Sequence, residues 1–510
     1  MFHYPFRGII VQEAFDELKQ RMDEIVDIGS AASVLGWDQQ TYMPPGGAEA
    51  RGRQLATLGK FAHELTIDPR NGELLNSLAD FEKKSDYDSD EAALIRQARR
   101  LYDKSVKVPP EFTARFSMAE SECLEAWLKA RPANDFAMVR PSLENVFHLC
   151  REYSDFFPGY KHPLDPLIDN HDHGMIASNI RAVFDELRKE MVPIVEAITS
   201  QEPADDSVLK LGFDGKKQLE FGESIIRKFG YDFNRGRQDM APHPFTTGFS
   251  VNDVRITTRV QENFLGSALF GTLHEAGHAM YEQGGAPSLD GTILRGGTTI
   301  GVHESQSRLW ENIVGRSRAF WSHNYPALQK LFPEQLGQVR LDRFYRGINK
   351  VQKSLIRVEA DEVTYNLHVM MRFDFECDVL EGKLSVAELP QAWNDRMESD
   401  IGIRPPTDSD GVLQDIHWYN GIIGYFQGYT LGNIMSAQFY DAAVKAHPEI
   451  PDDIANGRYD KLHGWLSENI YRHGSKFTAS EILERATGNG LDIGPYMNYL
   501  KTKYGELYDL

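Results

Sequence analysis

The chain has 510 residues, of which 41% are hydrophobic and 25% are charged. These proportions are those of an ordinary globular protein, and they exclude disordered, collagen-like and fibrous classes. The formal net charge is −20. An acidic surface disfavours nonspecific binding to nucleic acid or to an anionic membrane, because both need basic patches. We therefore expect neither nucleic acid nor a membrane as a partner.

Cysteine usage and the first residues of the chain bear on its compartment. The three cysteines, Cys123, Cys150 and Cys377, form no CxxC pair. We expect neither a disulfide framework nor a cysteine zinc site. The first residues lack the pattern of a secretory signal, and no run of about 18 apolar residues occurs that would span a membrane. The sequence thus predicts a cytoplasmic protein.

Helical periodicity dominates the chain. Apolar residues recur at intervals of three and four in segments that short turns separate. These segments lie at 11–35, 48–66, 90–106, 111–130, 139–157, 176–199, 215–229, 337–380, 386–400, 421–446 and 459–472, with another near the C-terminus. No low-complexity linker, charge block or internal repeat marks a boundary. The sequence predicts one mainly α-helical body over residues 1–510, with two lobes around a cleft.

A period of two replaces the helical period just before residue 260. Asp253, Arg255 and Thr257 alternate with apolar Val254 and Ile256. On a β-strand the first three side chains lie on one face. Two interpretations stay open: an amphipathic strand with an ordinary solvated face, or a strand of the functional site, because the next motif follows directly.

That next motif is His-Glu-Ala-Gly-His at residues 274–278. Four residues of a helix advance about 6 Å and rotate by about 400°, so His274 and His278 project from one face. Neutral imidazole is a good zinc ligand. Glu275 is offset by about 100°, toward a water that zinc activates, where a general base belongs. The alternative is a helix with two solvated histidines.

A catalytic zinc site needs a third protein ligand and one open position. Glu304 is our candidate, because two histidines and one glutamate are the usual set for this motif and the Gly-rich segment 284–301 can loop back. His303 is the competing ligand. No HExxHxxGxxH continuation is present, which excludes the type with three histidine ligands.

Residues 169–173 read Asp-Asn-His-Asp-His and look like a further ligand cluster. Nothing around them indicates a helix face or a buried cavity, and Gly174 follows directly. We interpret the segment as a polar turn.

Three residues further along have weaker signals. Arg357 suits recognition of a substrate carboxylate, because a guanidinium matches that anion, but an ordinary surface pair with Asp361 explains it equally well. His417 and Tyr425 lie in aromatic-rich stretches. Donors of this kind stabilise the negative charge that develops on a carbonyl oxygen, whereas core packing is the alternative role.

Taken together, these motifs resemble those of the thermostable (Taq-type) metallocarboxypeptidases, peptidase family thirty-two of the metallo class. The matching stretches, in order, are Trp37-Asp38 to Thr41-Tyr42-Met43-Pro44, His243-Pro244-Phe245, Asp253-x-Arg255-x-Thr257, 274–278, His303-Glu304-Ser305, 356–361 and 411–418. They span nearly the whole chain. One departure is Gln427-Gly428-Tyr429, where the family more often has a proline.

The resemblance implies a fold and an activity. The fold is a large helical body with a deep central groove, roofed by N-terminal helices, and a small β-sheet next to the zinc helix, as in neurolysin and angiotensin-converting enzyme. The activity is removal of single C-terminal residues from peptides with broad specificity, by a homodimer that uses zinc and accepts cobalt.

The resemblance also assigns roles to individual residues. His274, His278 and Glu304 are the zinc ligands and Glu275 is the base. Other matched positions contact substrate: Arg357 at its carboxylate, His417 and Tyr425 at the scissile carbonyl, and His243, Asp253 and Arg255 elsewhere.

Two other functions remain as alternatives. A zinc endopeptidase or dipeptidase would use the same scaffold and the same metal site. A catalytically silent peptide-binding or scaffolding protein is the second alternative, although the intact ligand residues argue against it.

Overall fold

The computed structural model describes residues 5–510, with side chains from Val11 onward. Within that range the chain forms 21 α-helices, several 3-10 turns, one short π-helix and a sheet of three strands. In chain order the helices are α1 (Pro5–Thr41), α2 (Ala48–Thr66), α3 (Pro69–Lys84), α4 (Asp90–Lys107), α5 (Pro110–Ala133), α6 (Arg140–Asp155), α7 (Asp165–His171), α8 (Ala177–Thr199), α9 (Gly215–Phe229), α10 (Leu265–Gln283), α11 (Ile300–Arg308), α12 (Arg318–Leu331), α13 (Pro333–Leu336), α14 (Leu341–Ile348), α15 (Tyr365–Glu381), α16 (Leu389–Asp400), α17 (Gln427–Ala446), α18 (Ile450–Ala455), α19 (Asp460–Asn469), α20 (Ala479–Thr487) and α21 (Gly494–Tyr508). The strands are β1 (Gln238–Met240), β2 (Thr246–Ser250) and β3 (Asp253–Thr258).

The predicted fold class, mainly α-helical with a small sheet, is confirmed. The periodic segments 48–66 and 215–229 coincide with α2 and α9 residue for residue. The segment 337–380 is wrong as a single helical run, because α14 ends at Ile348 and α15 begins only at Tyr365. The carboxylate of Asp361 accepts hydrogen bonds from three backbone amides of the intervening loop and so holds it in an irregular path.

The chain divides into two compact units, each assembled from three segments. Unit 1 comprises the residues up to Lys107, Gly212–Thr298 and Ala446–Ala486. It contains α1 to α4, α9, α10 and the sheet. One of its apolar clusters packs α1 against α3 and α4, through fully or almost fully buried side chains such as Leu18, Met22, Leu74, Leu78 and Ile95.

The sheet of unit 1 has the order β1-β3-β2, so β3 is the central strand. It pairs with β1 in parallel and with β2 antiparallel. On β3, Arg255 forms a two-point ion pair with Asp253, and its guanidinium lies 4.4 Å from the ring centroid of Trp37 in α1 and 4.9 Å from that of Phe249. Arg255 therefore connects the sheet to α1 through its contact with the Trp37 ring.

Unit 2 comprises Val108–Leu211, Thr299–Lys445 and Thr487–Leu510. Helices α15 and α17 contribute much of its core, with most side chains of α15 and those of the first three turns of α17 buried. Buried helices are usually apolar all round. α15 instead buries Asn366, His368, Arg372 and Glu376.

Glu376 shows what such a polar group does. Its carboxylate is fully buried and accepts hydrogen bonds from the Trp418 indole N–H at 2.8 Å and from the Gly424 backbone N–H at 3.0 Å. Both donors belong to the irregular segment between α16 and α17. Backbone groups buried outside helices and strands need such partners, so Glu376 fixes both ends of the 418–424 stretch on α15.

Two observations bear on compartment and membrane. The side chains of Cys123, Cys150 and Cys377 are buried and unpaired. Within residues 5–510, no helix combines the length and the apolar character that crossing a bilayer requires.

The buried carboxyl of Glu376 leads to a pH-dependent stability. Burial raises its pKa from 4.5 to about 8. The folded protein therefore holds a proton that the unfolded chain releases, so this stabilisation is complete below pH 4.5 and is lost as the pH rises through 8. We expect the Tm of E376Q, relative to that of the original protein, to rise between about pH 6 and about pH 9, as measured by scanning calorimetry.

E381Q is the matched control on the same helix. Arg181 holds the pKa of Glu381 down at about 2, so that group does not titrate in the same range. The Tm difference for E381Q should stay flat with pH. A flat difference for E376Q as well would show that Glu376 is already ionised at neutral pH.

Candidate metal centre and catalytic residues

Helix α10 carries the two histidines of the motif. The rings of His274 and His278 lie with their centroids 5.0 Å apart in an edge-to-face arrangement. Both side chains are partly exposed, whereas Leu273, Gly277 and Met280 on the other faces are buried in unit 1. The apolar side of the helix thus fixes it to the core and leaves both imidazoles on the open side, as a shared ligand role requires.

Glu275 is almost completely buried beside the sheet. The hydroxyl of Thr246, on β2, lies 2.7 Å from the Glu275 Oε2 and 2.9 Å from the Glu275 backbone carbonyl oxygen. A hydroxyl has one proton to donate, so these two acceptors share it. The contact limits rotation of the carboxylate and orients it relative to α10.

Glu304 lies in the first turns of α11, in unit 2, and is 4% exposed. Its carboxylate accepts a hydrogen bond from the Arg308 Nε at 2.6 Å and from the Ser307 hydroxyl at 3.0 Å. A Cβ atom at Gly432 of α17 would lie 2.6 Å from the Glu304 Cβ, so only glycine allows α17 to pass this close. Charge pairing and close packing therefore fix the position of Glu304.

His274, His278 and Glu304 can each offer one ligand atom, and these three atoms lie within 4.8 Å of one another. His303, the alternative ligand, is not part of this group. Two imidazole nitrogens and one carboxylate oxygen suit a zinc ion that keeps an open coordination position. The donor set thus fits the metal that the motif indicates.

Arg357 is buried in a 3-10 turn of unit 2 and does not pair with Asp361, as the alternative interpretation of the sequence had it. Its Nη2 lies 2.8 Å from the Asp415 Oδ1, its Nε also bonds to Asp415, and its Nη1 donates to the Tyr365 hydroxyl at 2.8 Å. A guanidinium has five N–H donors, so one N–H on each Nη remains for another anion.

Asp415 also pairs with a second arginine. The Arg372 Nε on α15 lies 2.6 Å from the Asp415 Oδ2, and Gln414 binds both arginines through its side-chain oxygen. Two guanidinium groups share one carboxylate, which leaves this group with a net positive charge. The charges of both arginines hold the pKa of Asp415 far below its usual range despite its burial.

His417 and Tyr425 lie close to each other in unit 2, with ring centroids 5.9 Å apart. The His417 Nε2 lies 3.4 Å from the Tyr429 hydroxyl. Burial, with the Arg357 charge, lowers the pKa of His417 to about 4, so its imidazole is neutral at pH 7. Burial, with the Glu304 charge, raises the pKa of Tyr425 to about 12, so its hydroxyl keeps its proton. Both groups can therefore donate neutral hydrogen bonds.

The remaining predicted substrate contacts lie in unit 1. His243 is exposed in the loop between β1 and β2. Asp253 and Arg255 share a face of β3, as the period of two predicts, but that face is not simply solvated: Thr257 is fully buried and Arg255 contacts Trp37. Because β1 and β2 occupy both edges of β3, a substrate peptide cannot add to this strand.

The interpretation of residues 169–173 as a polar turn is wrong for residues 169–171, which are helical; only Asp172 and His173 lie in the turn. Asp169 and His171 lie on α7, and Asp169 and Asp172 are buried, with 4% and 1% exposure. Gly174 does have a positive φ of 86°, which ends the segment. Asp172 bonds to donors that are distant in sequence, Gly301 and Gln427, which its local sequence does not reveal.

Sequence reasoning missed three side chains that contact predicted residues: Thr246 at Glu275, Asp415 at Arg357 and Tyr429 at His417. It also missed Arg372, which pairs with Asp415. Thr246 directly follows the His243-Pro244-Phe245 motif, and this position could have indicated that it lies at the site. Arg372 has no local signal, since it is one polar residue within an apolar helical pattern.

Comparisons with known proteins agree along the whole chain. The family described as "Carboxypeptidase Taq (M32) metallopeptidase" matches residues 17–504. "Thermostable carboxypeptidase 1" of Thermus thermophilus is 37% identical, and the alignment covers 98% of this chain and 99% of the relative. "Carboxypeptidase 1" of Bacillus subtilis is 34% identical, with 98% of each chain covered.

A solved structure, the M32 carboxypeptidase from Deinococcus radiodurans R1, superposes with a TM-score of 0.94 and 46% identity, covering 98% of this chain and 100% of the other. The Trypanosoma cruzi metallocarboxypeptidase 1 structure superposes with a TM-score of 0.91 and 30% identity, covering 96% and 99%. Family, relatives and structures point to the same class of peptide hydrolase. The chain belongs to the M32 family of metallocarboxypeptidases.

Proposed function

We propose that the protein is a zinc-dependent carboxypeptidase that hydrolyses the last peptide bond of its substrates and releases single amino acids with broad specificity. Membership of a carboxypeptidase family supports the reaction class. The observation that carries the proposal is the approach of His274, His278 and Glu304 to within 4.8 Å.

These three residues would hold the metal, and the hydrogen bond from the Arg308 Nε would orient the Glu304 carboxylate for that role. A bound zinc ion supplies Lewis acidity, which lowers the pKa of water toward 7 and polarises a carbonyl group. The donor set also accommodates cobalt, which shares these ligand preferences.

Glu275 acts as the general base in this proposal. Its carboxylate takes a proton from the attacking water and delivers it to the departing amine. Thr246 holds the carboxylate in one orientation through its hydroxyl. Burial of Glu275 further limits access of bulk water, which would compete for that proton.

Tyr425 and His417 donate hydrogen bonds to the carbonyl oxygen on which negative charge develops. Both keep the uncharged donor form at neutral pH, because burial lowers the pKa of His417 and raises that of Tyr425. Removal of one donor of this kind typically costs about 2.7–4 kcal/mol of transition-state stabilisation.

Arg357 binds the terminal carboxylate of the substrate through its remaining N–H groups. The shared Asp415 fixes the guanidinium, while the charge of Arg372 keeps the group cationic overall. His243, Asp253 and Arg255 complete the proposed substrate-binding set. The observed contacts of Arg255 support a role in shaping the sheet next to α10.

Further properties accompany the proposal as predictions from the sequence. We propose that residues 1–510 form a single catalytic domain with two lobes around a cleft, that the enzyme is a homodimer and that it acts on peptides in the cytoplasm.

Replacement of Glu275 tests the base. E275Q keeps the side-chain shape and a hydrogen bond to Thr246 but cannot accept a proton, so we expect a loss of kcat of at least about 100-fold with bound zinc unchanged. Metal content by mass spectrometry and initial rates on a short peptide measure the two quantities. E282Q, on the same helix but paired with Arg295, is the control and should keep its activity. Full activity of zinc-loaded E275Q would overturn the proposed role.

Recognition of the substrate carboxylate is tested with two peptides of one sequence, one with a free C-terminus and one amidated. The lost charge-assisted hydrogen bonds are worth about 1.5–3 kcal/mol, so we expect kcat/KM to fall by about 10- to 100-fold on amidation. In R357Q the kcat/KM values for the free and the amidated peptide should be nearly equal. Mass spectrometry should show successive single-residue losses. Internal cuts, or equal rates on both peptides with the original protein, would instead establish the endopeptidase alternative.

A further inference from the structure

Asp172, in the segment that follows α7, links two parts of unit 2 that carry proposed site residues. Its carboxylate is 1% exposed. Oδ1 accepts a hydrogen bond from the Gly301 backbone N–H at 2.8 Å, and Oδ2 accepts one from the Gln427 side-chain amide at 3.1 Å. The side chain of Thr299 bonds to the same carboxylate. One buried anion thus contacts the first residues of two helices.

The first of these helices is α11. Gly301 is its second residue, and Glu304 follows one turn later. The N–H groups in the first turn of a helix have no partner within the helix, so a buried acceptor there is both favourable and directional. Asp172 therefore fixes the start of the helix from which Glu304 projects.

The second helix is α17. Gln427 is its first residue and also donates to the Gly424 carbonyl oxygen at 2.6 Å. Tyr425 lies between these two positions. By holding the Gln427 amide, Asp172 fixes the turn that orients the Tyr425 phenol.

Packing leaves little room for either contact to shift. A Cβ atom at Gly301 would lie 3.0 Å from the Asp172 Oδ1, and one at Gly428 would lie 3.1 Å from the Oδ2. The neighbouring His171 ring also packs edge-on against the Tyr425 ring, with centroids 5.1 Å apart. The segment therefore contacts the tyrosine directly as well as through Gln427.

We propose that Asp172 is a positioning residue that fixes the metal ligand Glu304 and the donor Tyr425 relative to each other. The inference rests on the proposed function, because Glu304 and Tyr425, the residues that Asp172 positions, have roles only in that function. Asp172 itself touches neither the metal nor the substrate. Groups bonded directly to a metal ligand typically change metal affinity or activity by about 10- to 100-fold when they are replaced. Asp172 acts on Glu304 less directly, through the backbone of Gly301 at the start of α11, so we expect an effect at the lower end of that range.

The test compares D172N with D165N. In D172N an amide NH₂ replaces one acceptor oxygen and meets an N–H donor, and the negative charge that strengthens both hydrogen bonds is removed, so one link is lost and the other is weakened. Asp165, the first residue of α7, is 3% exposed and also accepts backbone hydrogen bonds, from Ala177 at 2.7 Å and from His162 at 3.1 Å. It contacts neither α11 nor α17 through those bonds, so D165N carries a matched loss of stability alone.

We expect D172N to bind zinc at least about 10-fold more weakly, measured by competition with a chromophoric chelator, and to lose kcat with KM little changed. D165N should lower the Tm by a similar amount while zinc affinity and kcat stay as in the original protein. Normal zinc affinity and kcat in D172N, or equal losses in D165N, would overturn the inference.

Q427M separates the two links, since it removes only the one toward Tyr425 and nearly conserves volume. We expect its kcat to fall with zinc affinity unchanged; a normal kcat would overturn the link between Asp172 and Tyr425.

E304A distinguishes failure of this inference from failure of the proposed function. If E304A loses zinc while D172N behaves normally, only this inference is wrong. If E304A binds zinc normally, the proposed ligand set fails and the inference with it.

Discussion

Two arginines that share one carboxylate determine how the interior of unit 2 is built. Asp415 pairs with Arg357 from a 3-10 turn and with Arg372 from α15, and all three side chains are largely withdrawn from water. Removing one member of a buried ion pair typically costs about 3–5 kcal/mol, because the partner is left uncompensated. The positions of the turn, the helix and the 411–426 segment therefore depend on one another. The side chains that carry the net positive charge of the group are thus held in place by ion pairs with Asp415.

Buried and partly buried carboxyl groups have a related structural role elsewhere in the molecule. Long stretches of unit 2 lie outside helices, and their buried N–H groups need acceptors that regular structure would otherwise supply. Asp361 serves the loop before α15, Glu376 serves the segment around Trp418, and Asp172 serves the starts of α11 and α17. Side chains that look like surface charges in the sequence thus define the path of the backbone around the proposed catalytic residues.

These contacts explain how far the sequence alone could predict the molecule. The histidine pair and most long helices follow from local spacing, which a sequence displays directly. The break between α14 and α15 does not, because a single carboxylate in the loop outweighs a continuous apolar pattern. Asp172 and its partner Gly301 are likewise 129 positions apart, and no local pattern reports a contact at that separation. The sequence analysis failed for polar residues whose hydrogen-bond partners are distant in the sequence.

The three-segment composition of each unit has a consequence for synthesis. Unit 1 includes residues from the start of the described chain and others as late as Ala486, and unit 2 extends to Leu510. During synthesis the first segment of unit 1 therefore leaves the ribosome well before Ala446–Ala486, the segment that completes this unit, whereas proteins with sequential domains fold piece by piece from the N-terminus. Helices synthesised early can complete their packing only when partners from much later in the sequence have been made.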